Sequence, residues 1–124
     1  MRSEHYAKFT PQQLDELYHQ KLAEFAASPE KWTSFLDTAA RLYKYDFKSQ
    51  VLIWSQRPDA TACAELPLWN DRLHRRVNRG SNGIGIVDNS SGQPRIKYLF
   101  DISDTSPRDQ SVAPPYIWQM RNDA

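Results

Sequence analysis

Apolar residues recur every three or four positions through the first half of the chain. Leu14, Leu17, Tyr18, Leu22 and Phe25 form one such series, and Trp32, Phe35, Leu36, Ala39, Leu42 and Tyr43 form a second. That spacing places each set along one side of an α-helix and predicts two amphipathic helices that bury their stripes in a core. The flanking residues agree. Thr10-Pro11-Gln12-Gln13 supplies a capping hydroxyl, a proline suited to the first helical position and a glutamine that can complete a capping box, and Ser28-Pro29 repeats the start signal. A third helix is expected over about 47–56, with Phe47, Val51, Leu52 and Trp54 partly buried. It ends before Pro58, because a residue preceding proline is pushed out of helical geometry. A short fourth helix is expected to start at Pro67 and to carry Leu68, Trp69 and Leu73.

The pattern then changes period. All four glycines of the chain (Gly80, Gly83, Gly85 and Gly92) fall within one short stretch, and around them the sequence reads as strands at about 75–78, 83–88 and 94–101. Turns are expected at Arg79-Gly80-Ser81-Asn82-Gly83 and at Asn89-Ser90-Ser91-Gly92-Gln93. In the last strand Ile96, Tyr98, Phe100 and Ile102 alternate with Lys97, Leu99 and Asp101, which predicts one apolar face and one mixed face. The expected architecture is α+β, with three or four N-terminal helices packed on a small antiparallel β-sheet of hairpins. Residues 1–105 form the domain, and 106–124 form a polar, proline-rich tail that docks through Tyr116-Ile117-Trp118.

Composition narrows the class. Of the 124 residues 40% are hydrophobic and 25% charged, as in an ordinary globular domain. The longest strongly apolar run, Val51-Leu52-Ile53-Trp54, falls far short of the roughly 20 residues a membrane helix needs. No apolar stretch follows the N-terminus to suggest a signal peptide, and the single cysteine, Cys63, excludes an internal disulfide. A cytoplasmic protein with no membrane partner is expected. Net charge is only +1, but it is unevenly spread. Residues 72–97 hold six basic side chains against Asp88 alone, a local +5 between flanks that are each −2. Such an excess can attract a polyanion even when the whole molecule is near neutral; a solvated charged face is the alternative.

Catalytic and metal chemistry find little support. His5, His19 and His74 and the lone Cys63 show no ligand spacing, so no metal and no cofactor are expected. Cys63 lies among small residues and reads as a core filler rather than a nucleophile paired with His74. Asp15 and Glu16 suit the first turn of a helix, and Asp101 and Asp104 suit the turn at a strand end. The order Gly80-x-x-Gly83-x-Gly85 lies between strands and is not a dinucleotide-binding fingerprint. A non-enzymatic protein is expected.

Several segments carry a resemblance. They are Leu42-Tyr43-Lys44-Tyr45, Ser49-Gln50-Val51-Leu52-Ile53, Gln56-Arg57-Pro58-Asp59-Ala60-Thr61-Ala62-Cys63-Ala64, Leu68-Trp69-Asn70, Val77-Asn78-Arg79-Gly80-Ser81-Asn82-Gly83-Ile84 and Tyr98-Leu99-Phe100-Asp101. In this order the chain resembles the N-terminal domain of large proteins encoded on conjugative elements of gut Firmicutes. More distantly it is similar to the single-stranded-DNA-binding N-terminal domain of ArdC-type antirestriction proteins. The resemblance covers about residues 28–121 and departs from those relatives at Asn82, where they usually carry lysine, at His74, where they usually carry glycine, and at Arg76, where they are often aromatic. It implies binding of DNA without chemistry, in the setting of a mobile element or phage that must survive host restriction or CRISPR nucleases.

The residues expected to hold phosphate are Arg72, Arg75, Arg76, Asn78, Arg79, Asn82, Arg95 and Lys97, arranged on a basic hairpin. Guanidinium groups suit this work because they bind phosphate oxygens bidentately and keep their charge. Trp54, Trp69 and Tyr98 are the candidates for stacking against bases. Alternation along a strand forbids Arg75 and Arg76 from pointing the same way. Single-stranded DNA is the favoured partner. The competing expectation is a protein-interaction module that grips a host nuclease or a partner domain through the same basic face.

Overall fold

The computed structural model describes residues 9–108. Its first half is helical, as the periodicity predicts: α1 Pro11–Ala27, α2 Pro29–Arg41 and α3 Phe47–Gln56. The Thr10 hydroxyl accepts the Gln13 N–H, and the Gln13 side chain accepts the Thr10 N–H, so the capping box is complete. Ser28 caps α2 through the Lys31 N–H, and Asp46 caps α3 through the Ser49 N–H. These side chains satisfy donors that a helix start otherwise leaves without partners. At Pro67 the expected fourth helix is a single π-helical turn, Leu68–Arg72, closed by Leu73 N–H donating to Leu68 O at 3.1 Å.

Five short strands follow: β1 Cys63–Ala64, β2 Arg75–Val77, β3 Ile84–Asp88, β4 Arg95–Asp101 and β5 Thr105–Pro107. They form an antiparallel sheet ordered β1-β4-β3 and a separate two-stranded ladder of β2 and β5. β3 and β4 make the expected hairpin, with Ile84 opposite Leu99 and Asp88 opposite Arg95. The strand at 75–77 does not join it. Arg79–Gly83 therefore does not connect two paired strands, and the basic segment 72–97 is not one hairpin. β2 pairs instead with β5, Val77 opposite Thr105 and Arg75 opposite Pro107. The folded chain thus extends past residue 105, while the expected docking of Tyr116–Trp118 lies outside the described residues.

Two cores lie on opposite faces of β4, because consecutive strand residues point in opposite directions. Leu99 joins Leu14, Leu52, Ile53, Ile84 and Ile86 beneath the helices. Phe100, next along the strand, packs with Trp69, Leu73 and Val77 under the π-turn and β2. The mixed face expected for this strand is therefore buried at Leu99. Gln56 fastens α3 to the edge of the sheet, its amide donating to Gly85 O at 2.8 Å and accepting Gly85 N–H at 2.9 Å. It takes the place of a missing neighbouring strand. A Cβ on Gly85 would lie 3.1 Å from Phe9, so glycine lets the start of α1 close over β3.

The cores meet at Asp101, which is 1% exposed. One carboxylate oxygen accepts Thr61 N–H at 2.8 Å and Ala62 N–H at 3.0 Å, and the other accepts the N–H and hydroxyl of Ser103. Arg57, at the end of α3, reaches the same corner. It forms a two-pronged pair with Asp104 at 2.6 and 3.3 Å and donates to the Ser103 hydroxyl. These hydrogen bonds to Asp104 raise the Arg57 pKa further above its ordinary value. Asp101→Ala strips the acceptor from three backbone donors, each worth about 1–3 kcal/mol when orphaned by burial. The expected loss is at least about 3 kcal/mol in a urea titration followed by tryptophan fluorescence. A loss below about 1 kcal/mol would show that the carboxylate does not hold this junction.

Candidate nucleic-acid interface

The expected phosphate-binding residues separate into three groups. Arg75 turns inward with Val77. It is 9% exposed, and its guanidinium donates to the Thr105 hydroxyl at 2.6 Å and to Thr105 O at 3.1 Å. Burial draws its pKa below the ordinary arginine value, yet such a group stays protonated in any physiological buffer. Arg75 is a strut between β2 and β5, not a phosphate ligand. Asn78 is also structural: its N–H donates to Asp104 O, and its side-chain oxygen accepts the Ser106 hydroxyl at 2.6 Å.

Arg72, Arg76 and Arg79 form the second group, and all three are exposed. Arg76 lies opposite Ser106 on the outer face of the β2–β5 ladder. Arg79 sits in a turn closed by Ser81 N–H donating to Asn78 O, with Gly80 at φ 86, the left-handed geometry that the third turn position demands. Asn82 is exposed just beyond that turn. Arg108 joins this surface from the end of β5, its N–H donating to His74 O and its guanidinium to Asn70 O, both at 3.0 Å. Within Asn70–Arg79 the only acid is Asp71, and Thr105–Arg108 contains none. Sequence reading missed Arg108 because its membership depends on β5, which is too short to show a period. His74, exposed between the π-turn and β2, takes φ 54, a left-handed conformation that glycine adopts without strain.

The third group lines two adjoining grooves flanking β4. One, of about 640 Å³, is lined by Arg72 and Lys97 together with Lys44, Glu65, Asp71 and Tyr45. Its neighbour, of about 550 Å³, is lined by Arg95, Lys97 and Tyr98 beside Glu65 and Asp88. Lys97 forms an ion pair with Glu65 at 3.3 Å. Arg72 thus joins the exposed arginine surface to the first groove, whereas neither groove is lined by Arg76 or Arg79.

The tryptophans proposed for stacking are core residues. Trp69 is fully buried, and its indole N–H donates to Phe100 O at 3.0 Å. Trp54 is 7% exposed; it packs against Phe25 and Phe35, and its N–H donates to the Ser34 hydroxyl. Burial excludes both from stacking on a base. Tyr98 is half-buried, and its hydroxyl accepts the Phe9 N–H at 3.5 Å. Cys63 is buried, and burial together with the Asp101 carboxylate pushes its thiol well above the usual range, the opposite of what a nucleophile needs. Among the described residues no three His, Cys, Asp or Glu side chains gather in a way that could hold a metal ion, and no helix is long and apolar enough to cross a membrane. No protein-family model, curated protein or solved structure matches the chain.

The opposed roles of adjacent arginines give a direct test. Arg75→Ala removes two buried hydrogen bonds and should cost about 2 kcal/mol of stability. Arg76→Ala, a surface change, should stay within about 0.5 kcal/mol of the parent. Urea midpoints of the two variants check the assignment, and equal losses would contradict it.

Proposed function

We propose that this chain binds single-stranded nucleic acid, DNA by preference, through the sugar-phosphate backbone and without altering it chemically. The observation that carries this reading is the exposed arginine set on the β2–β5 ladder and the π-turn: Arg72, Arg76, Arg79 and Arg108, with Asp71 beside them. Four exposed guanidinium groups suit a row of phosphates. The grooves beside β4, with half-buried Tyr45 and Tyr98 in their walls, offer a place for bases that a duplex would keep stacked. Together with the resemblance to antirestriction domains, this makes protection of a mobile element's incoming strand from host restriction or CRISPR nucleases the proposed role, in the cytoplasm.

A second reading rests on a different surface. Trp32 and Leu36 of α2 are 39% and 46% exposed, with Tyr43 and Phe47 exposed close by in sequence. Exposed apolar side chains of this size suit a protein partner, such as a host nuclease or another domain.

Labelled single- and double-stranded oligonucleotides titrated at two salt concentrations decide between the readings. Backbone binding should weaken steeply with salt for every sequence. Arg76→Glu combined with Arg79→Glu should weaken it further and lower the slope of log affinity against log salt by about 1.4, roughly 0.7 for each lost phosphate contact. A folded double variant with an unchanged slope would remove the ladder from consideration and favour the α2 surface.

A further inference from the structure

The 640 Å³ groove carries charges of both signs, Glu65 and Asp71 beside Lys44, Arg72 and Lys97. A lining of mixed sign suits a base, which presents donors and acceptors side by side. The groove also has an apolar interior. Leu99 and Ala64 are buried at its depth, Leu68 is half-buried, and Asp71 and Arg72 are exposed at its mouth. The Tyr45 ring forms part of the wall and is held there by its hydroxyl, which donates to Cys63 O at 2.8 Å. Pockets that take a small organic ligand run from about 300 to 1,000 Å³ and combine an apolar lining with a few placed polar groups. One nucleotide is of that size.

We infer that this groove takes one unstacked base from the bound strand and that it prefers guanine. The inference rests on the strand-binding reading above. Guanine is the base whose edges match a rim of mixed sign. Its N1–H and N2–H are adjacent donors for a carboxylate, and its O6 and N7 are adjacent acceptors for an arginine or lysine. Asp71 is the carboxylate assigned to the donors, since Glu65 is already engaged by Lys97 at 3.3 Å. The cations of the lining are Lys44, Arg72 and Lys97. Thymine offers a single N–H and no amino group, so it leaves the carboxylate without a full partner. Binding would then be independent of sequence along the arginine ladder and selective at one position.

The test compares oligo(dT) with an alternating thymidine–guanosine oligonucleotide of equal length. The two carry the same number of phosphates, so a difference between them reports on bases. The alternating strand should bind about 5- to 100-fold more tightly, the range of one well-placed bidentate base contact. Asp71→Ala should bring the ratio close to one while leaving the salt dependence of oligo(dT) binding unchanged. Equal affinities for the two strands in the parent protein overturn the base pocket and leave backbone binding standing. If neither strand binds, backbone binding itself is wrong, and a titration with free dGMP and dTMP decides the groove alone. In that experiment dGMP should shift the amide resonances of Ala64, Leu68, Asp71 and Leu99 far more than dTMP does, and Asp71→Ala should abolish the difference. Matching responses to the two nucleotides overturn the pocket.

Discussion

A buried carboxylate fixes the path of the chain. Asp101 ends β4 at the point where the segment leaving α3 arrives as β1, and its oxygens take the N–H groups of Thr61, Ala62 and Ser103. Burying such a charge costs far more than burying an apolar side chain unless every lone pair finds a donor, and here several donors converge on it. Those bonds set the register in which Cys63 faces Asp101, and they start the short turn at Ile102–Asp104. The turn sends residues 105–107 back along β2. The ladder that carries Arg76 and Arg108 therefore exists because of a residue on the far side of the second core.

Arg57 links this corner to the helices. It lies just past α3, its N–H bonded to Ile53 O, while its guanidinium grips Asp104 and Ser103. Arg41, from the last turn of α2, donates to Ala60 O, and the Thr38 hydroxyl donates to Pro58 O at 2.6 Å. The loop between α3 and β1 has little secondary structure of its own, and it is held by side chains from three directions. The surface built on this framework packs on the second core through Val77 of β2.

Local signals in the sequence were legible and long-range pairings were not. The caps at Thr10 and Ser28, the third helix and the hairpin of β3 with β4 follow from neighbouring residues, and the structure places them within a residue or two of expectation. β1, β2 and β5 span two or three residues each, too few for a period to appear, so their partners depend on where Asp101 turns the chain. The same limit governs the site. Alternation correctly set Arg75 against Arg76, but nothing local revealed that Thr105 would hold Arg75, or that Arg108 would arrive beside the π-turn. Trp54 and Trp69 have the residue type that stacks on bases, but their positions in apolar runs fit a core. A large ring at helical spacing is more useful to a helix as buried surface than to a ligand.

The central claim is that single-stranded DNA lies on the arginine ladder. Mapping the amide resonances of the isotope-labelled protein during titration with oligo(dT) at low salt tests it most directly. The account predicts shifts concentrated at Arg72, at Arg76–Arg79 and at Ser106–Arg108, and their loss as salt is raised. Shifts confined to α2 around Trp32 and Leu36, or none at any concentration of strand, would contradict it.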